Sequence, residues 1–208
     1  MNRQLILPAE NSFIGAWFIE DMSLCDDMIY HFENSPDKLD GKIYSSDKLI
    51  IDKAEKDSMD IELNLDEEIT KRYIRELQKV LELYKIKYVR SDIVDKFGIE
   101  AINLQKYNPG GGYKFWHTER ACGYPPAVYR HLVFMTYLNN INDEGETEFF
   151  YQKLKVQPQK GLTLIWPSDW THTHRGIPSL TQTKYIATGW FTFLNRIPGK
   201  EVKVDNTV

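Results

Sequence analysis

Short apolar runs rich in β-branched and aromatic residues recur from Ile99 onwards, and they constrain the fold more than any other feature of the chain. Examples are Leu132 to Leu138, Leu162 to Trp166 and Tyr185 to Phe193, with Gly, Pro, Asn or Asp at the boundaries. Bounded runs of this kind are typical of β-strands. The sequence therefore predicts a mainly β fold, a sandwich or jelly roll that carries flanking helices on one side. An aromatic content of 13% suits such a core.

Helical patterns are confined to the first half of the chain. Leu24 to Asn34 can form a helix, with Ser23 as its N-cap and Ser35-Pro36 ending it. Asp66 to Lys87 is a longer amphipathic candidate. Its apolar face recurs at three- and four-residue steps, at Ile69, Tyr73, Leu77, Leu81 and Tyr84. We expect both helices to support the β core.

A chain of 208 residues predicts one domain with a sizeable hydrophobic core. Within it we expect a support region over residues 1–97, a β core over 98–195 and a flexible tail over 198–208. The net charge of -4 argues against a nucleic-acid partner, because such a protein favours a broad basic face.

Cysteine use and hydropathy indicate the cellular setting. Cys25 and Cys122 are too few for a disulfide scaffold, which favours a reduced compartment. The apolar run Leu5 to Leu7 is too short for a signal peptide. No run approaches the roughly eighteen apolar residues of a membrane-spanning helix. We therefore expect a cytoplasmic protein with no membrane partner, whose oligomeric state the sequence does not predict.

Two short segments, residues 115–119 and 171–176, carry candidate metal ligands. His117 and Glu119 would project from the same face of a strand, since alternate side chains do so. One strand cannot supply a third facial ligand, so it must come from elsewhere, and His172 and His174 are both candidates. A His-x-carboxylate pair with a distant His is the ligand set of a non-haem ferrous site. Catalytic zinc is the second choice, and the lack of a thiolate argues against closed structural zinc.

Five further motifs follow one another around these segments. They are Tyr107-Asn108-Pro109-Gly110-Gly111-Gly112-Tyr113, Arg130 to Asn139, Gly145-Glu146-Thr147-Glu148-Phe149, Val156 to Trp166, and His174-Arg175-Gly176-Ile177-Pro178 with Lys184-Tyr185. In this order they resemble the 2-oxoglutarate- and iron(II)-dependent dioxygenases, closest to the prolyl 4-hydroxylase branch. The resemblance covers about Ala101 to Phe193, somewhat under half of the chain.

The resemblance implies a double-stranded β-helix with N-terminal supporting helices, in which residues 98–195 form the catalytic core. It favours His174 as the distal ligand, because the His-x-Gly-x-Pro context and the offset to Lys184 match the family. This chain departs from the family at Glu119, where Asp is usual, so the longer carboxylate must fold back or the strand must shift. Tyr113 also stands one residue further from His117 than usual.

The resemblance implies Fe(II), 2-oxoglutarate as co-substrate and O2, and it leaves ascorbate open as an additional reductant. The residues expected to contact 2-oxoglutarate are Lys184, Tyr137, Thr188 and Tyr107. Those expected around the pocket or the substrate are Arg130, Trp190, Tyr113 and His172. Core filling by Tyr137 and a surface ion pair of Arg130 are the alternatives. No separate catalytic side chain is expected, since the chemistry is metal-centred.

The implied activity is hydroxylation of an unactivated C–H bond, and a prolyl residue in a peptide or protein is the expected target. A free amino acid, another residue, or a non-catalytic jelly-roll binding module are the alternatives. We expect Lys42 to Lys56 and Arg120 to Tyr129 to form the substrate-side loops. The sequence does not name the substrate or the position of hydroxylation.

Overall fold

A computed structural model describes residues 3–5, 12–45, 48–92, 96–121 and 125–194. Within these ranges the chain forms two α-helices, twelve strands and three short 3-10 helices. The expected tail at 198–208 and most of the Leu5 to Leu7 run lie outside them.

The elements follow one another along the chain with these bounds. They are β1 (Gly15–Phe18), α1 (Ser23–Asn34), β2 (Leu39–Asp40), β3 (Ile43–Ser45), β4 (Lys48–Ile50), β5 (Met59–Glu62), α2 (Glu68–Lys87), β6 (Phe97–Tyr107), β7 (Arg130–Tyr137), β8 (Thr147–Phe149), β9 (Leu154–Val156), β10 (Leu162–Pro167), β11 (His174–Gly176) and β12 (Lys184–Phe193). The 3-10 helices are Val89–Asp92, Ala127–Tyr129 and Trp170–His172.

Two antiparallel sheets form the β part of the fold. The larger has the strand order β1-β10-β7-β12-β6-β5-β2, and the smaller has the order β11-β8-β9. Strands β3 and β4 pair only with each other within the described residues. The mainly β jelly roll with flanking helices that the sequence predicts is confirmed. Strands β1, β2 and β5, from the first half of the chain, join the same large sheet as the later strands.

Apolar side chains form two buried clusters, one on each face of the large sheet. One cluster joins α1 and α2 to the sheet, and the predicted face of α2 supplies its buried Tyr73, Leu77, Leu81 and Tyr84. The other lies between the two sheets and includes Phe149 of the small sheet. The molecule is therefore layered as helices, large sheet and small sheet, with the second cluster directly beneath the functional site described below.

The starts of both helices differ from the sequence-based prediction. Ser23 lies inside α1, and the Oδ1 of Asp21 accepts the N–H of Leu24 at 3.3 Å. Helix α2 begins at Glu68, because Asn64 Oδ1 accepts the N–H of Asp66 at 3.0 Å and holds a turn there. The C-terminal end of α1 at Ser35, in extended conformation, is as predicted.

Cys25 is a buried free thiol in α1, and burial raises its pKa to about 12. Such a thiol is unreactive at neutral pH, because the thiolate is the reactive form. Cys122 lies outside the described residues. None of the helices in the described ranges is both long enough and apolar enough to cross a bilayer.

Candidate metal centre and its cavity

The two ligand segments meet through a single antiparallel bridge between His117 and His174. Each backbone N–H donates to the carbonyl of the other residue at 3.0 Å. His117 and Glu119 lie in the connection between β6 and β7, outside any named strand, so the expected strand there is reduced to this bridge. Thr118 points away from its neighbours, as alternation predicts, and donates its hydroxyl to the Ser168 carbonyl at 2.9 Å.

Backbone carbonyls set the tautomers of both histidines. Nδ1 of His117 lies 3.0 Å from the Phe115 carbonyl, and Nδ1 of His174 lies 2.9 Å from the His172 carbonyl. A carbonyl can only accept, so each Nδ1 carries the proton and each Nε2 presents a bare lone pair. A hydrogen bond of this kind on the far nitrogen is typical of metal-ligating histidines.

One oxygen of Glu119 faces both of these lone pairs. Its Oε1 lies 3.6 Å from Nε2 of His117 and 3.4 Å from Nε2 of His174. One ligand atom from each residue lies within 4.8 Å of the others, and this group is the candidate metal cluster among the described residues. Two ligands that each stand about 2 Å from an ion at right angles are roughly 3 Å apart. The donor set and its spacing therefore fit a single small cation.

The protonation states suit a cation as well. Burial lowers the pKa of His117, and the neighbouring His174 lowers it further, so the imidazole stays neutral. Burial raises the pKa of Glu119, but hydrogen bonds and positive charge from the two imidazoles in their protonated forms outweigh it and hold this pKa well below its usual value, so the carboxylate is ionised. A neutral nitrogen donor and an ionised carboxylate are the forms that bind metals.

The cluster opens into a cavity of about 810 Å³. Alternate residues of β12 form one wall of this cavity, since they share a face of the strand. They are Lys184, Ile186, Thr188 and Trp190. Of the residues predicted around the pocket or co-substrate, Tyr107, Tyr113 and Arg130 also line it.

Lys184 is a buried cation in this wall. Only 4% of its surface is exposed, and its Nζ donates to the Gly145 carbonyl at 2.9 Å. Burial lowers its pKa to about 8, although the charge of Glu146 opposes the shift. An ammonium group in such surroundings has few partners of its own, so an anion that enters the cavity is stabilised strongly there.

The two tyrosines of the glycine-rich motif take different positions. Tyr107 stands beside Lys184, whose Nζ is 5.2 Å from the ring centroid, and its hydroxyl donates to Gln105 Oε1 at 2.6 Å. Tyr113 stacks on the imidazole of His117 with the centroids 3.5 Å apart and 9° between the planes. Tyr107 is therefore the one of the pair that adjoins the cationic end of the cavity.

Two of the predicted site residues do not line the cavity. The hydroxyl of Tyr137 lies between the sheets and donates to Thr147 Oγ1 at 2.7 Å, so Thr147 and Met135 form the lining there. The His172 ring turns towards the Ser12 carbonyl, 2.9 Å from its Nε2, because the residue closes a 3-10 helix before β11. The placement of Tyr137 agrees with the core-filling alternative, and the roles expected for the two residues at the site stay predictions.

Arg130 belongs to a part-buried network of hydrogen bonds and rings rather than to a surface ion pair. Its guanidinium bonds to Glu100, lies over the Trp190 ring and reaches Glu119. Trp190 donates its indole N–H to Glu119 Oε2 at 2.9 Å. Sequence reasoning missed Glu100, because β6 also carries Asn103, Gln105 and Lys106 and a further polar residue there is no distinct signal.

Both expected substrate-side loops contribute to the cavity wall. The described residues of the first that do so are Lys42, Ile43, Leu49, Glu55 and Lys56. Those of the second are Ala121, Pro125, Pro126 and Ala127. Sequence reasoning singled out neither the buried Lys56, paired with Asp60 at 2.6 Å, nor the Gln105 that joins this pair to Tyr107.

Residues 102–192 match the family model described as the 2OG-Fe(II) oxygenase superfamily. No curated protein sequence matches the chain. Its fold is similar to that of a viral collagen prolyl hydroxylase, vCPH from Paramecium Bursaria Chlorella virus-1, solved as a 2OG complex. The TM-score is 0.63 at 18% identity, over 90% of this chain and 99% of that one.

Two further solved structures share the fold. A Pseudomonas putida prolyl-4-hydroxylase has a TM-score of 0.65 at 14% identity, over 86% of this chain and 92% of that one. A Trichoplax adhaerens prolyl hydroxylase, solved with a hypoxia inducible factor oxygen degradation domain peptide fragment, has a TM-score of 0.68 at 15% identity. That similarity covers 88% of this chain and 84% of the other. The family match confirms the resemblance of this chain to the 2OG-Fe(II) oxygenase superfamily, and the three solved prolyl hydroxylases share its fold.

Proposed function

We propose that this protein is an Fe(II)- and 2-oxoglutarate-dependent oxygenase that hydroxylates a prolyl residue within a peptide or protein. One observation carries the proposal: two bare imidazole nitrogens and a carboxylate oxygen face each other in the same cavity as a buried ammonium group. Three ligands on one side of an ion leave positions open for a co-substrate and O2. When bound, the iron supplies the oxygen activation that protein side chains cannot perform.

His117, Glu119 and His174 would hold the metal, and the residues around them would keep it in place. The Phe115 and His172 carbonyls fix the imidazoles, which keeps each Nε2 lone pair directed at Glu119 Oε1. A set of two nitrogens and one oxygen suits ferrous iron.

Lys184 would bind the distal carboxylate of 2-oxoglutarate. A charge-assisted bond to an ammonium group is strong where water is excluded, and Lys184 is almost fully buried. Thr188 lies on the same strand face, and Tyr107 stands beside the Lys184 ammonium. The alternation of β12 thus supports a diacid lying along the wall between the ammonium end of the cavity and the metal cluster.

A peptide substrate is supported by the rim of the cavity. Trp116 lines the cavity, and its ring meets the exposed Phe150, which in turn contacts the exposed Tyr151. We call these three residues the aromatic strip. Proline-rich segments dock on exposed aromatic rings at low entropic cost. The similar Trichoplax enzyme was solved with a peptide fragment, which agrees with a polypeptide substrate here.

The activity is tested with protein purified without oxygen, then mixed with Fe(II), labelled 2-oxoglutarate and O2. We expect succinate to form slowly without a prime substrate. His174→Ala should abolish it, whereas His172→Ala should retain most of it, because the His172 ring points to Ser12. No succinate from the native protein, or the reverse order of the two variants, would overturn the assignment.

The substrate is tested with a peptide library in the same reaction, read by mass spectrometry. A gain of one oxygen on a prolyl residue supports the proposal. Oxygen on another residue, or turnover of a free amino acid only, would support the proposed oxygenase reaction but overturn the prolyl residue as its substrate. We also propose a cytoplasmic location, since ferrous iron requires reducing conditions.

A further inference from the structure

We infer that Trp190 and Arg130 are positioning residues for the Glu119 carboxylate, and that they allow this chain to use glutamate as a metal ligand. The inference rests on the proposed function only in taking Glu119 to be a ligand. It differs from a substrate-binding role for the two residues, and the two roles predict different measurements.

The two oxygens of Glu119 have separate partners. Oε1 faces the Nε2 atoms of His117 and His174, at 3.6 and 3.4 Å. Oε2 accepts the indole N–H of Trp190 at 2.9 Å and lies 3.7 Å from Nη1 of Arg130. A carboxylate held in this way presents one oxygen to an ion and keeps the other oxygen occupied. The second oxygen fixes the rotation of the side chain.

Arg130 is itself held rigidly. Its Nη2 bonds to Glu100 Oε1 at 2.8 Å, its Nε lies 3.2 Å from Oε2 of the same carboxylate, and its Nη1 donates to the Glu119 carbonyl at 3.0 Å. The guanidinium carbon sits 3.5 Å from the centroid of the Trp190 ring. With these contacts made, much of the donor capacity of Arg130 is used inside the protein. The guanidinium therefore holds both Trp190 and Glu119 in position.

These contacts compensate for the greater length and flexibility of a glutamate side chain at position 119. Compared with aspartate, glutamate adds one methylene and one freely rotating bond, so an unsupported Glu119 would sample positions away from the imidazoles. Because Glu119, Arg130 and Glu100 all have side chains less than a fifth exposed, their charges act through a medium of low polarity. Two carboxylates and one guanidinium leave one negative charge, which favours a cation at the cluster.

The test measures metal affinity in the absence of any peptide. Mn(II) binding is followed by electron paramagnetic resonance, and the Co(II) absorption spectrum reports the ligand geometry. Trp190→Phe removes the N–H donor and keeps an aromatic ring, although a smaller one than the indole. We expect it to weaken Mn(II) binding about 10- to 100-fold, the range typical for partners of metal ligands, and to change the Co(II) spectrum. Arg130→Lys keeps the positive charge but loses the forked N–H donors of the guanidinium. We expect it to weaken Mn(II) binding as well.

The chain offers matched controls in the same cavity. Arg175 lies over the Trp116 ring at 4.5 Å and bonds to Glu148, an arrangement similar to that of Arg130, but without contact to Glu119. Trp116→Phe and Arg175→Lys should therefore bind Mn(II) like the native protein. Equal losses in the controls and in the Trp190 and Arg130 variants would overturn the inference.

A double-mutant cycle with Glu119→Asp isolates the specific contact. The aspartate side chain is shorter by roughly 1.5 Å, so it cannot contact the imidazoles and the Trp190 N–H at the same time. Trp190→Phe should then change Mn(II) affinity by less than about twofold in the Glu119→Asp background, because the pair no longer interacts. Should Trp190→Phe fail to fold, Arg130→Lys completes the same cycle.

The outcomes separate this inference from the proposed function. If the native protein binds no Mn(II) at all, there is no metal site, and both the proposed function and this inference are overturned. Native binding with unchanged affinity in Trp190→Phe and Arg130→Lys overturns the positioning role alone, and loss of peptide affinity only would assign both residues to the substrate. The positioning role is supported if both variants bind Mn(II) more weakly than the native protein and this loss disappears in the Glu119→Asp background.

Discussion

Lys184 illustrates at the scale of a single residue how function opposes stability. It is a charged side chain that the fold buries almost completely, and its Nζ donates to the Gly145 carbonyl. Burial of a cation costs free energy, which the nearby charge of Glu146 offsets only in part, and the pKa lowered to about 8 reports the remaining cost. A core optimised only for stability would place an apolar residue here. The proposed binding of an anionic ligand beside it would account for the charge.

The cost of this buried charge can be measured through pH. Between a folded pKa of about 8 and the ordinary 10.5, the unfolded chain holds a proton that the folded protein has released, so stability rises with pH. Below pH 8 the penalty is complete. We expect Lys184→Met to raise the free energy of unfolding at pH 7 by about 2 kcal/mol, after allowing for the lost bond to Gly145, and this gain to vanish near pH 10.

Urea unfolding of both proteins at pH 7 and pH 10 measures this difference. Lys155→Met is the control for the same substitution at an exposed position, since 54% of that side chain is exposed. A gain at pH 7 that persists unchanged at pH 10 would contradict the assigned pKa. The same variant should bind 2-oxoglutarate much more weakly, which separates the ligand role from the stability effect.

At the scale of elements, strand β12 organises the site. It pairs with β6 on one side and β7 on the other. Its alternate residues from Lys184 to Trp190 face the cavity, while Ala187 and Phe191 face the helices. Its pairing shifts register between Gly189 and Phe191, next to Trp190. Neighbouring groups lie very close to Gly189, and this packing therefore determines the position of the Trp190 indole.

Gly189→Ala tests this close approach. A Cβ at this position would lie 2.1 Å from the Ala101 carbonyl oxygen and 2.5 Å from the Phe134 ring. Both are packed in the sheet, so the strand must shift, and we expect a loss of about 1–3 kcal/mol in the free energy of unfolding together with weaker Mn(II) binding. Denaturant unfolding and metal titration provide the two readings.

Gly176→Ala is the comparison for that experiment. The nearest atom to its added Cβ is 3.5 Å away, an ordinary contact, so its stability should change little. Equal stability of the Gly189 and Gly176 variants would show that β12 has more room than the structure indicates.

At the scale of the whole molecule, metal and co-substrate should stabilise the fold jointly. A ligand that binds only the folded state at one hundred times its Kd adds about 2.7 kcal/mol. We expect Mn(II) to raise Tm, and 2-oxoglutarate to raise it further only when Mn(II) is present. Differential scanning calorimetry without oxygen measures this coupling. Independent or absent effects would favour a non-catalytic binding module.

The aromatic strip predicts a dependence on peptide length. Phe150 and Tyr151 are about half exposed and lie outside the cavity, so only a peptide that extends beyond the reacting residue can reach them. We expect Tyr151→Ala to raise KM several-fold for long proline-containing peptides and to leave short peptides and succinate formation without peptide unaffected. Equal effects on long and short peptides would exclude contact with the strip.

Much of the site follows from patterns within short segments. The apolar face of α2, the strands β7, β10 and β12, and the alternation of Lys184, Thr188 and Trp190 were predictable, because local periodicity determines which side chains share a face. His117 and Glu119 were identified from their spacing. The departure from aspartate at position 119 was also visible in the sequence, although its consequence was not.

Only the tertiary structure decided which distant groups meet. Spacing left His172 and His174 both open, and packing turned the His172 ring towards Ser12. Glu100 and Arg130 stand thirty residues apart and meet across β12, which lies between their strands. The Tyr137 hydroxyl went to Thr147, in the opposite sheet. Strand order and sheet packing create these contacts, and neither leaves a periodic signal within a single segment.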